Sequence, residues 1–116
     1  MGMGPYPAED DSMLSKFKAY QSAKEFYRAC EDLRGSRILT QQLLRAASSI
    51  ALNLAEGSGR MSAKEKQHYY RMALGSTREC QAALDLLGTK DVVLISKADE
   101  LGAMIYGLLR SLKKLI

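Results

Sequence analysis

Lys64, Arg71 and Arg78 recur at intervals of seven residues, and Arg60 lies four residues before the first of them. On a helix, that spacing sets three cations along one outward face, each about 10.5 Å from the next by the helical rise. A row of fixed cations can track a phosphate backbone. The same row also reads as an ordinary solvated helix face. A second constellation is polar: Arg45, Ser49, Asn53, Glu56, Ser76 and Glu79. If the two segments carrying them run antiparallel about a turn at residues 57–62, Arg45 falls opposite roughly residues 71–78. Ser49 then lies near Tyr70 and Ala73, and Asn53 near Lys66 and Tyr69. The expectation is a partly buried hydrogen-bond network in which Arg45 reaches Glu79 or the facing backbone. Buried polar groups need partners, and a satisfied network fixes the register of two helices. The alternative is recognition, with Asn53 and Arg45 lining a pocket.

Other residues invite chemistry and do not support it. Glu65-Lys66-Gln67-His68 offers one Glu-x-x-His step, whereas a di-iron bundle needs two such steps and two further glutamates. His68 is the single histidine of the chain. It is expected on the surface near the start of a helix, and no metal site is expected. Gly57-Ser58-Gly59-Arg60 lacks the preceding strand and the Gly-Lys-Ser/Thr ending of a phosphate loop. It reads as a helix–helix turn, with anion binding at the next helix N-terminus as the lesser alternative. Cys30 and Cys80 fall on apolar stripes and are read as reduced, buried thiols; a disulfide or a metal pair is the other reading. With one histidine and no nucleophile–base pairing, the chain is expected not to be an enzyme and to need no cofactor.

These residues require helices to position them. Leu43, Ala47, Ile50 and Leu54 form an apolar stripe at spacings of four and three. Gln42, Ala46, Ser49, Asn53 and Glu56 run beside it as a small, polar stripe. The pattern predicts a helix over Gln41–Glu56, with Thr40 as N-cap and Gly57 as a left-handed terminator. A first helix is predicted from about Met13 to Leu33, with Ala19, Ala23, Phe26, Cys30 and Leu33 inward and Asp10, Asp11 and Ser12 at its start. Arg34-Gly35-Ser36 stops it. The third helix opens on the capping box Ser62…Glu65. Its inward stripe is Tyr69, Ala73, Ser76, Cys80, Ala83 and Leu87, and Gly88 ends it. Gly75, in mid-helix, is expected to mark close approach of a neighbouring helix. After a link over Thr89–Ile95, a fourth helix starts at Ser96. Its inward positions are Ala98, Leu101, Ile105, Leu108, Leu112 and Leu115, and Arg110, Lys113 and Lys114 sit in its last turns, where the dipole favours cations.

Four helices with short connections give an antiparallel up-down four-helix bundle over residues 13–116, preceded by a disordered segment over residues 1–12. At 116 residues the chain suffices for one domain. No run approaches the ~20 apolar residues of a membrane span. The acidic start is unlike a signal peptide, so a cytoplasmic location is expected, with no membrane partner. The net charge of +4 is unevenly placed. Residues 37–78 hold seven cations and two acids, net +5; residues 1–36 are net −1 and residues 79–116 net 0.

The text LTQQLLRAASSIALNLAEGSGR, followed by Ala73-x-Gly75-Ser76-x-x-Glu79, resembles the bacterial proteins encoded in intervening sequences of 23S rRNA genes. Leu39, Thr40, Gln42, Arg45, Ala46, Ser49, Ile50, Asn53, Ala55, Glu56, Gly57, Gly59 and Arg60 carry the likeness. Polar residues fixed among apolar ones make it specific. The resemblance implies a left-handed up-down bundle that assembles as a homopentameric ring. The chain is also similar to the accessory protein of diversity-generating retroelements, which implies a basic barrel in contact with nucleic acid and a reverse transcriptase. On this basis the leading expectation is a homo-oligomer that binds RNA or DNA. The alternative is a scaffold or adaptor ring for a protein partner. Tyr20, Tyr27, Leu52, Tyr70 and Tyr106 are the apolar positions expected to be covered by self-association.

Overall fold

The computed structural model describes Leu14 and residues 17–115. Four helices are described in full: α1 (Lys18–Cys30), α2 (Arg37–Ser58), α3 (Ala63–Leu87) and α4 (Val92–Lys113). No strand occurs among the described residues. Helices adjacent in sequence pack on one another, and α1 closes the cycle against α4. The diagonal pairs α1/α3 and α2/α4 bring no Cα atoms within 8 Å of each other. Cross-helix contacts fix the antiparallel direction: Leu43 meets Cys80, Ser49 meets Ser76 and Gly57 meets Tyr70 between α2 and α3. Gln81 meets Asp99 and Thr77 meets Gly102 between α3 and α4. The arrangement is an up-down four-helix bundle. The segment over residues 1–12, and the capping residues Asp10, Asp11 and Ser12, lie outside the described residues.

The α2 stripe behaves as its spacing dictates, since Leu43, Ala47, Ile50 and Leu54 are all fully buried. Phe26, Leu101 and Ile105 complete the largest side chains of the core. Three helix starts differ from expectation. Within the described residues α1 begins at Lys18, because Phe17 adopts an extended backbone that turns its ring toward Tyr70, 6.1 Å between centroids. It ends at Cys30 rather than Leu33. α2 begins at Arg37, not Gln41: Ser36 is the N-cap, and its hydroxyl accepts from the Leu39 amide at 3.4 Å. Thr40 instead donates to the Arg37 carbonyl one turn inside. α4 begins at Val92, with Asp91 accepting from the Leu94 amide at 3.0 Å. The Thr89–Ile95 link is therefore mostly helix. Its reason is visible in burial: Leu94, Ala98, Leu101 and Ile105 form one unbroken inward stripe.

α3 is rotated relative to the predicted stripe. Tyr70, Thr77 and Leu84 are buried where Tyr69, Ser76 and Leu87 were expected. The helix serves two neighbours, α2 and α4, so its buried arc is centred between them. The Thr77 hydroxyl satisfies itself on the Ala73 carbonyl at 2.9 Å, and its methyl faces Gly102 of α4. At the far end of α4, Leu115 is 74% exposed and leaves the apolar stripe.

The glycines also divide. Gly88 closes α3 with φ +68°, a left-handed conformation suited to glycine. Gly57 does not terminate α2; it is buried inside the helix, which runs on to Ser58, and Gly59 follows with a right-handed backbone. A Cβ at Gly57 would stand 2.6 Å from the Tyr70 ring. Here the missing side chain makes room for an aromatic ring. Gly75 shows the reverse: a Cβ there meets nothing within 4 Å. The close approach expected at Gly75 does not occur within the bundle.

Candidate nucleic-acid interface

The seven-residue cation spacing places Lys64, Arg71 and Arg78 on exposed positions of α3, but their surroundings differ. Lys64 and Arg71 make no ion pair or hydrogen bond among the described residues. Arg78 leans toward α4, where its guanidinium donates to Gln81 Oε1 at 2.9 Å. Gln81 in turn donates to Asp99 at 2.8 Å. Arg78 and Asp99 line the same surface depression with Gly102 and Tyr106, so acidic charge lies beside that cation.

Arg60 is more firmly engaged. It pairs with Glu56 at 2.6 Å and donates to the Tyr69 hydroxyl at 2.9 Å. Its guanidinium carbon also sits 4.8 Å from the centroid of the Tyr69 ring, within cation–π range. Its Nε is shielded and has no hydrogen-bond partner. His68 is exposed and meets Tyr69 edge-on, 5.0 Å between centroids. The turn thus carries a small cluster of two rings and a guanidinium. Lys66, the remaining cation nearby, donates to the carbonyls of Gly57 and Ser58 at 3.3 and 3.1 Å. It satisfies the C-terminal carbonyls of α2, a common use of lysine at a helix end.

The six-residue polar set is assembled in part. Ser49 and Ser76 share a hydrogen bond at 2.9 Å across the α2–α3 seam. Asn53 donates to the Ser49 hydroxyl at 3.1 Å and to its carbonyl at 2.9 Å, so its amide turns back onto its own helix. Asn53 was expected near Lys66 and Tyr69, and Ser49 near Tyr70 and Ala73; with Ser49 against Ser76 and Gly57 against Tyr70, the register is shifted by about one helical turn from that estimate. Arg45 does reach Glu79, at 3.5 Å, but both side chains are exposed, 71% and 48%. Glu56 belongs to the Arg60 pair at the turn. Only Ser49, Asn53 and Ser76 are half-buried, so the network is a short chain at the rim of the seam.

The cysteines are both buried and free. They lie on α1 and α3, which have no Cα pair within 8 Å, beyond the reach of a disulfide. Burial pushes the Cys30 thiol up to about 12 and raises that of Cys80 as well. Both remain protonated and act as small apolar groups. Among the described residues no group of three or more His, Cys, Asp or Glu could hold a metal ion. Nor is any helix among the described residues long and apolar enough to cross a membrane.

Sequence reasoning missed Tyr69, which it assigned to the core, and it did not connect the α4 cations with this surface. The antiparallel register supplies that connection. Residues Thr77 and Gln81 of α3 face Gly102 and Asp99 of α4. Continued toward the α3 N-terminus, this register sets Arg110, Lys113 and Lys114 beside residues 66–70.

Taken together, the architecture is that of a small, all-helical bundle protein with a basic face on one helix and a cation–aromatic cluster at one turn. The chain belongs to the 23S rRNA-intervening sequence protein family, whose model matches residues 14–114. No curated protein and no solved structure matches it.

Proposed function

We propose that the protein is a non-enzymatic, self-associating bundle that binds the phosphate backbone of RNA or DNA through the basic face of α3. The observation that carries this is the pair Lys64 and Arg71, exposed seven residues apart on one helix and held by no acid among the described residues. Cations that no described residue of the chain engages are available to a partner outside it. Arg60 and Arg78 flank them, already oriented by Glu56, Tyr69 and Gln81. The test is retention on heparin or RNA across a salt gradient, comparing wild type with Lys64→Ala/Arg71→Ala. The double variant is expected to lower the salt slope by about 1.8 on a duplex, at ~0.9 per phosphate contact. An unchanged slope overturns the assignment.

Self-association, with the pentamer favoured by the family resemblance, is supported by apolar side chains the bundle leaves outside. Leu52 is 68% and Tyr106 56% exposed, and Tyr20 and Tyr27 are half-buried. Tyr70 leaves this set, being buried in its own chain's core. A molar mass by light scattering tests it; a monomer at high concentration overturns it. The same exposed residues favour a second reading, a ring that serves as scaffold or adaptor for a protein partner such as a reverse transcriptase. In that case the charge serves solubility, and RNA retention is lost at low salt. Either role is a cytoplasmic one.

A further inference from the structure

The loops alternate between the two ends of the bundle. Residues 59–62 join α2 to α3 at one end, which also receives the start of α1 and the finish of α4. Among the described residues, that end gathers Lys18, Arg60, Lys64, Lys66, Arg110, Lys113 and Lys114 against two acids, Glu56 and Glu65. The opposite end mixes Arg34, Arg37 and Lys90 with Glu31, Asp32, Asp85 and Asp91. Over its described residues the bundle is therefore electrostatically polar along its axis. In sequence this is invisible, because residues 79–116 sum to zero: three of their five cations, Arg110, Lys113 and Lys114, fold to the basic end, and none of their five acids does.

Of the two acids at the basic end, Glu56 is paired with Arg60. Glu65 accepts from the Ser62 hydroxyl at 3.2 Å. Lys66 is occupied by backbone carbonyls. Lys64, Arg110, Lys113 and Lys114 remain exposed and without a partner among the described residues. Part of the α4 charge offsets the helix dipole, a role that needs one or two cations in the last turn. Beside them, at the same end, stands the Arg60–Tyr69–His68 cluster, with a half-exposed guanidinium over one ring and an exposed imidazole at its edge.

We infer that this end of the bundle takes an unpaired nucleic-acid strand, with α4 supplying phosphate contacts through Lys113 and Lys114 and the Arg60–Tyr69–His68 cluster supplying a stacking platform. The inference rests on the nucleic-acid reading above and narrows it in both place and ligand. Charge alone does not distinguish a strand from a duplex. The ring cluster does, because a duplex keeps its bases stacked inside and offers nothing to an aromatic side chain, whereas unpaired bases stack on rings and on guanidinium planes. Lys64 is shared with the α3 face, so the strand continues from the basic end onto that face toward Arg71.

The experiment is fluorescence anisotropy with a labelled uridine oligonucleotide and a blunt RNA duplex of equal length, each titrated with the full chain over a range of salt. Wild type is compared with Lys113→Gln/Lys114→Gln, with Tyr69→Leu, with His68→Ala and with Lys90→Gln at the opposite end. The single strand is expected to bind more tightly. The α4 double variant should lower its salt slope by about 1.4, at ~0.7 per phosphate. Tyr69→Leu should weaken the single strand roughly ten-fold, the scale of one lost stacking partner, and the duplex much less, through Arg60 alone. His68→Ala, at an exposed position outside the core, should weaken the single strand in the same sense, and Lys90→Gln should do nothing. Equal binding of strand and duplex, or an unchanged slope for the α4 variant, overturns the inference while the α3 reading stands. Capture by phosphatidylserine vesicles without capture of either RNA overturns both in favour of a lipid surface.

Discussion

The α2–α3 seam is built in two ways along its length. At the turn it is tight: Gly57 lies flat against the Tyr70 ring, Arg60 is held by Glu56 and Tyr69, and Lys66 caps the α2 carbonyls. Half-way along, a buried line of Ala46, Ala47, Ile50 and Ala73 is edged by a looser polar rim. There, Ser49 and Ser76 meet at the rim, Gly75 faces open space, and Arg45 reaches Glu79 across solvent. Both stretches belong to the same run of family-marking residues, yet they carry different requirements. The turn needs its residues for the fold of a single chain. The rim of the middle carries polar and small residues, Arg45, Ser49, Gly75 and Glu79, that the bundle uses only lightly.

The sharpest way to break this contrast is Gly57→Ala. The added Cβ meets Tyr70 at 2.6 and 2.9 Å and Tyr69 at 3.1 Å, so overpacking should cost about 1–3 kcal/mol in urea melts; a neutral result would mean the ring simply swings away. Next, Asn53→Ala removes the donor to the Ser49 hydroxyl and should cost about 1 kcal/mol. An unchanged melting temperature would show that the rim network stabilises nothing. The turn should also respond to alkali. Burial raises the Tyr70 hydroxyl above its ordinary value of 10.0. Folding therefore favours the protonated phenol, and its contribution is complete below pH 10 and is lost as pH climbs beyond. Cys30 and Cys80 act in the same direction from 9.0 upward. Comparing melting temperatures between pH 8 and about 11, Tyr70→Phe should decline less steeply than wild type.

Much of this was legible in the sequence. Leu43, Ala47, Ile50 and Leu54 repeat with helical period, Ser62 and Gly88 are local start and stop signals, and the seven-residue cation spacing needs only a helix to be read. What failed depended on neighbours. Ser96 resembles an N-cap as well as Asp91 does, and only the burial of Leu94 decides between them. Tyr69 and Tyr70 are adjacent, so a helix with two packed sides settles which one is buried. Gly57 was taken for a conformational need when the need is space. The basic end was hidden for a further reason: Lys113 and Lys64 are 49 positions apart, and only the antiparallel register of α3 and α4 brings their ends together.

Two smaller effects sharpen the loose half of the comparison. Gly75→Ala meets open space and relieves the entropy cost of a mid-helix glycine, so it should stabilise the single bundle by about 0.5–1 kcal/mol. If a second copy lies on this face, the same methyl group should weaken self-association while raising the stability of the monomer, and sedimentation of the variant separates the two effects. The Arg45–Glu79 pair is the weakest link. Both side chains are more than 40% exposed and 3.5 Å apart, and Arg45 is drawn equally to Gln42 at 2.6 Å. A double-mutant cycle to alanine should give a coupling of no more than about 0.5 kcal/mol, vanishing with added salt. The Arg60–Glu56 pair, shorter and anchored on Tyr69, should keep more of its coupling under the same salt. A larger coupling at Arg45–Glu79 than at Arg60–Glu56 would reverse the contrast, making the middle of the seam the part that holds the two helices in register.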